Sequence, residues 1–155
     1  ISNATLRKNI QVDVVFSTTL FDFMGQAMIS GYNSKKQPRK FRIVIWKYLS
    51  AREILSSMIH EMIHVKQWTL GETGYHLESW MGVEVPEDLE YYDHPWERDA
   101  YGSERCIFSQ YVTKNKLWKV FPKLRNPDRK NIVPKKFEIK WKIPKEQRGK
   151  GYIPV

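Results

Sequence analysis

Between Ser50 and Gly71 the chain spells out a helix with both ends marked. Ser50-Ala51-Arg52-Glu53 fits a capping box, in which the serine hydroxyl and the glutamate carboxylate each satisfy a backbone N–H that the first turn leaves unpaired. Ile54, Leu55, Met58, Ile59, Met62 and Ile63 recur at the spacing of one helical face. Gly71 suits the left-handed residue that ends a helix. About 20 residues at 1.5 Å each span roughly 30 Å, the width of a small domain. Such a helix is expected at the centre of the fold, with the remaining elements arranged around it.

The flanking segments predict an α+β domain. Ile10–Phe16 is β-branched and partly alternating, Phe23–Tyr32 is compatible with a second strand, and Phe41–Lys47 (Phe-Arg-Ile-Val-Ile-Trp-Lys) carries the strongest strand pattern in the chain. Asn33–Lys40, polar and basic with Pro38, reads as the tip of a hairpin between the last two. Residues 71–93 read as a long irregular connection with a short helical turn at Glu87–Tyr91. Pro95 then opens a second helix running to about Val112, with Trp96, Ala100, Ile107, Phe108 and Tyr111 on its core face. The alternation Phe137–Ile143 predicts a further strand. At 155 residues and 41% hydrophobic content the chain suits one domain. The expected division is a core over 5–113 and a basic extension over 114–155 packed on it.

The central helix carries chemistry. His60-Glu61-Met62-Ile63-His64 puts two imidazoles at i and i+4, on one face, where both can bind a single ion. Glu61 falls to the side, placed to act as a base toward water rather than as a ligand. The single cysteine, Cys106, excludes a disulfide or a cysteine-rich metal site, so a transition metal here must use His and carboxylate donors. Zn2+ is the expected ion. A catalytic zinc usually takes three protein ligands. Glu97 is the expected third, because Ala100 one turn later is small enough for close helix approach; His94, His76 and Glu78 are the alternatives. Asp99 or Glu104 is a candidate to accept a hydrogen bond from a ligand histidine, though a solvated helix charge is the favoured reading of each. Tyr91, Tyr92 and Tyr101 flank the expected ligand, and Tyr101 is taken as the candidate donor to an oxyanion.

A strand, a helix with His60-Glu61-x-x-His64, and a second helix with Glu97-x-Asp99-Ala100 together resemble a minimal zincin of the gluzincin type. The Glu97–Ala100 segment is similar to the ImmA/IrrE-like metallopeptidases, and the layout over residues 41–112 resembles SprT-like proteins and small phage metallopeptidases. The resemblance implies a zinc endopeptidase, a hydrolase acting on protein or peptide, with His60, His64 and Glu97 as ligands and Glu61 as general base. It also implies that Phe41–Lys47 is the sheet edge along which a peptide lies. The chain departs from SprT-like proteins in having no cysteines for a zinc ribbon and in offering Glu97 where they usually have histidine.

Charge suggests a second class of function. Residues 1–113 hold 12 Lys+Arg against 14 Asp+Glu, and residues 114–155 hold 14 against 3, which makes up the net charge of +9. Trp118, Phe121, Phe137 and Trp141 interleave the basic residues of 114–150, a composition that can bind nucleic acid or an acidic protein partner. The other reading of the same residues is a strap over the acidic segment 72–104, with the aromatics docked on the core. No apolar run approaches the roughly 18–20 residues of a membrane span, and no signal-peptide pattern stands at the start, so the expectation is a cytoplasmic protein without a membrane partner. Nothing in the sequence sets the oligomeric state.

Overall fold

A computed structural model describes residues 9–19 and 23–119. The predicted strand at 137–143, and all of the basic extension beyond Lys119, lie outside the described residues. The elements run β1 (Gln11–Ser17), β2 (Gly25–Tyr32), β3 (Pro38–Trp46), α1 (Ala51–Leu70), β4 (Ser79–Trp80), β5 (Val83–Glu84), a 3-10 turn (Tyr91–Asp93), α2 (Pro95–Lys114) and a final 3-10 turn (Leu117–Lys119). This is an α+β arrangement: a small mixed sheet with two helices.

The sheet order is β1-β3-β2, with β1 parallel and β2 antiparallel to β3. Phe41–Lys47 is therefore not an edge, as the resemblance implied, but the body of the central strand. The cause is its composition. Phe41, Ile43 and Ile45 all face α1 and are fully buried, each stabilising the fold by about 1.5–3 kcal/mol relative to exposure. Only a strand flanked on both sides can hide such a row completely. Among the described residues the outer strands of this sheet are β1 and β2. The basic segment predicted as a hairpin tip is shorter than expected, because β3 already begins at Pro38.

α1 lies between two apolar clusters. On one side Val65 and Trp68 pack with Phe41, Ile43, Ile45 and Leu49. On the other, Ile59 and Ile63 pack with Ala100, Phe108 and Val112 of α2. Ala100 is fully buried, so the small side chain does allow the close helix approach expected of it. The capping box forms as read, with Ser50 Oγ accepting from Glu53 N and Glu53 Oε2 accepting from Ser50 N at 2.9 Å. Gly71 closes the helix in the left-handed conformation at φ 71°.

The connection from Gly71 to His94 is more ordered than an irregular loop. β4 and β5 form a short antiparallel pair, anchored by a bridge from Thr73 to Trp80. The helical turn predicted at Glu87–Tyr91 occurs later, as the 3-10 turn Tyr91–Asp93, with Pro95 opening α2 directly after it.

Candidate metal centre

Three buried donors from two helices meet beside α1. His60 and His64 Nε2 are 3.2 Å apart. Glu97 Oε2 is 3.3 Å from His60 Nε2, and Glu97 Oε1 is 3.5 Å from His64 Nε2. Two ligands each about 2.0–2.1 Å from one ion, at a tetrahedral angle, stand about 3.3–3.4 Å apart. The His60–His64 separation is close to that spacing, and the Glu97 carboxylate presents one oxygen to each imidazole. All three residues are less than 10% exposed. Glu97 Oε2 is fully enclosed, with His60 Nε2 at 3.3 Å as its neighbour; a buried carboxylate oxygen needs such a protonated imidazole or a bound cation beside it. The His60, His64 and Glu97 cluster can hold a metal ion.

The electrostatics point the same way. Burial alone would depress His60, yet hydrogen bonds to Glu104 and Glu97 prevail and push it up to about 10. His64 is likewise raised, burial being outweighed by Glu97. Burial opposes ionisation of Glu97, but His60 and His64 hold it down at about 2. The acids around the two imidazoles thus favour positive charge at this point. A divalent cation would supply that charge.

The far nitrogens of both histidines are engaged. His60 Nδ1 is 3.2 Å from Glu104 Oε2, and Glu104 in turn accepts from the Ser56 hydroxyl. His64 Nδ1 is 2.9 Å from Gln67 Oε1. Glu104 is thus the hydrogen-bond partner of a candidate ligand rather than a solvated helix charge, the favoured reading of it in the sequence, while Asp99 reaches His64 through Gln67, whose Nε2 donates to Asp99 Oδ2 at 2.9 Å. Gln67 was not singled out in the sequence. Its signal was available: it follows His64 by three residues on the same helical face, a polar residue where the pattern calls for burial.

Glu61 stands on the sheet side of the cluster. Its Oε2 accepts from the Ala27 N–H at 2.8 Å, and its burial raises its pKa above the usual carboxylate range. Gly25 makes room for it: a Cβ there would lie 3.2 Å from Glu61 Cγ and 2.9 Å from Ile45 Cδ1. Sequence patterns carried no sign that β2 would grip this side chain. Phe23, Gly25, Gln26, Ala27, Trp68, Leu77 and Tyr91 wall a cleft of about 220 Å³ that reaches Glu61, His64 and Glu97.

The tyrosines divide. Tyr91 lines the cleft; burial and a hydrogen bond with Glu97 raise its phenol. Tyr101 packs its ring on His60, with centroids 4.5 Å apart, and hydrogen-bonds Tyr92. The alternative ligands are elsewhere. His76 is exposed, and its N–H donates to Glu78. His94 Nδ1 sits 3.1 Å from the Tyr91 carbonyl, its ring stacked on Trp96.

Comparison with protein-family models, curated proteins and solved structures gives no match to this chain. Among the described residues, no helix is long and apolar enough to cross a membrane.

Proposed function

We propose that the chain is a zinc-dependent metalloendopeptidase of the minimal zincin kind. The observation that best supports this reading is the cluster of His60, His64 and Glu97 donors, with a second buried acid, Glu61, beside it on the wall of an open cleft. In this reading His60, His64 and Glu97 hold Zn2+. When bound, zinc polarises a carbonyl and lowers the pKa of water to about 7.

The chain's own groups then have distinct tasks. Glu61 takes the proton of the attacking water and passes it to the leaving amine. Its Oε2 is tied to Ala27, which leaves Oε1 as the working oxygen. Burial raises the Glu61 pKa, which makes its carboxylate a stronger base toward water than a solvated one. Tyr91, on the cleft wall, is better placed than Tyr101 to donate to the oxyanion; the role expected of Tyr101 passes to it. β2, an outer strand of the sheet among the described residues and a wall of the cleft, replaces β3 as the strand along which an extended peptide lies.

Metal analysis of the purified, zinc-reconstituted protein tests the reading, with His60→Ala, His64→Ala and Glu97→Ala in parallel. One zinc per chain is expected, lost in each variant. Peptide cleavage is expected to stop in Glu61→Gln while zinc remains. Failure to take up zinc, or full activity in Glu61→Gln, would overturn it.

A further inference from the structure

We infer that Gln67 is a positioning residue that dictates which nitrogen of His64 faces the metal centre, and that α2 dictates the orientation of Gln67. This rests on the metal-centre reading above. Gln67 is fully buried. Its Nε2 donates to the Trp96 carbonyl at 2.9 Å and to Asp99 Oδ2 at 2.9 Å. Its Oε1 lies 2.9 Å from His64 Nδ1.

The orientation of this amide follows from donor and acceptor chemistry. A carbonyl and a carboxylate only accept, and the amide nitrogen is the only donor that Gln67 has. Inverting the amide would set its oxygen 2.9 Å from two acceptors, where like partial charges repel and both hydrogen bonds are lost. The NH2 group therefore faces α2, and Oε1 faces His64. An amide oxygen carries no proton, so His64 Nδ1 must supply one. In the neutral ring the lone pair then sits on Nε2, the atom that faces His60 and Glu97.

One helix thereby serves all three donors. α2 contributes Glu97 itself, orients His64 through Gln67, and orients His60 through Glu104. The choice of glutamine over glutamate is specific. A carboxylate behind a ligand histidine ordinarily strengthens metal binding. At position 67 a carboxylate would face Trp96 O and Asp99 with no proton to give, so here it should weaken it.

The test uses the full chain, with zinc affinity from chelator competition and histidine tautomers from long-range 1H–15N NMR of the zinc-loaded protein. In the wild type, His64 is expected to carry its proton on Nδ1. Gln67→Leu and Gln67→Glu are each expected to weaken zinc binding about 10–100-fold, with His60 keeping its tautomer. Zinc binding in Gln67→Glu equal to or tighter than wild type would overturn the inference. So would a wild-type His64 protonated on Nε2, a result that needs no variant to fold. No zinc uptake by the wild type would instead overturn the metal centre itself, a separable outcome.

Discussion

The Ala27 N–H donates to Glu61 Oε2 at 2.8 Å, joining β2 to the middle of α1 across 34 residues of sequence. The sheet thus does more than bury one face of the helix. Its second strand immobilises one oxygen of the side chain proposed as base, and Gly25 beside it provides the space. That makes β2 a wall of the site rather than a support beneath it.

Gly25→Val should therefore impair hydrolysis more than metal binding. The added side chain would start 2.9 Å from Ile45 Cδ1 and 3.2 Å from Glu61 Cγ. Overpacking of this kind costs about 1–3 kcal/mol. Denaturant unfolding should show that loss, zinc affinity should change little, and kcat should fall because Glu61 is displaced.

Tyr91→Phe and Tyr101→Phe should separate. Removal of one oxyanion donor lowers kcat by about 10²–10³, so Tyr91→Phe is expected to fall in that range with KM little altered. Tyr101→Phe keeps the ring on His60 and loses the bond to Tyr92, and should retain most of its activity. Steady-state kinetics on one peptide decides between them; equal losses would remove the distinction.

Ala100→Leu should cost both stability and metal. Ala100 is fully buried between Ile59, Ile63, Phe108 and Val112. A larger side chain there costs about 1–3 kcal/mol and pushes α2 away from α1, carrying Glu97 with it. Thermal melts and zinc titration should both move; a stable variant with undiminished zinc affinity would contradict the packing argument.

The pH dependence of stability should differ between the metal-free and zinc-loaded chains. In the metal-free chain His60 is raised from 6.5 to about 10, so its contribution is complete below pH 6.5 and is lost as pH rises through about 10. Glu97 is lowered from 4.5 to about 2, so its contribution is complete above pH 4.5 and is lost as pH falls through about 2. Zinc needs unprotonated imidazoles, so its stabilisation grows with pH. The Tm gap between zinc-loaded and chelator-treated protein should widen as pH rises toward about 10, above which His60 no longer holds a proton for zinc to displace, and a gap independent of pH would speak against imidazole ligands.

Local patterns were enough for several parts of this molecule. Ser50, Glu53 and Gly71 mark the ends of α1 because capping depends on residues within a turn of each other. His60 and His64 share a face for the same local reason. The α+β class and Pro95 as the start of α2 follow from periodicity and from proline's missing N–H.

Other features were decided by contacts between residues far apart in the chain. Sequence alone carries the strength of β3 as a strand but not its neighbours, and only β1 docking on its far side makes it central. Glu97, Glu104 and Asp99 were all legible as charged residues of one helix. Which would be ligand, which would hold His60 and which would hold Gln67 depended on the rotation and distance at which α2 meets α1, set by Ala100 and the apolar cluster around it. The hold of Ala27 on Glu61 comes from a backbone N–H that every residue but proline possesses, so no side-chain pattern could have announced it. The helix and its motif were written locally; the arrangement that can bind an ion had to wait for tertiary packing.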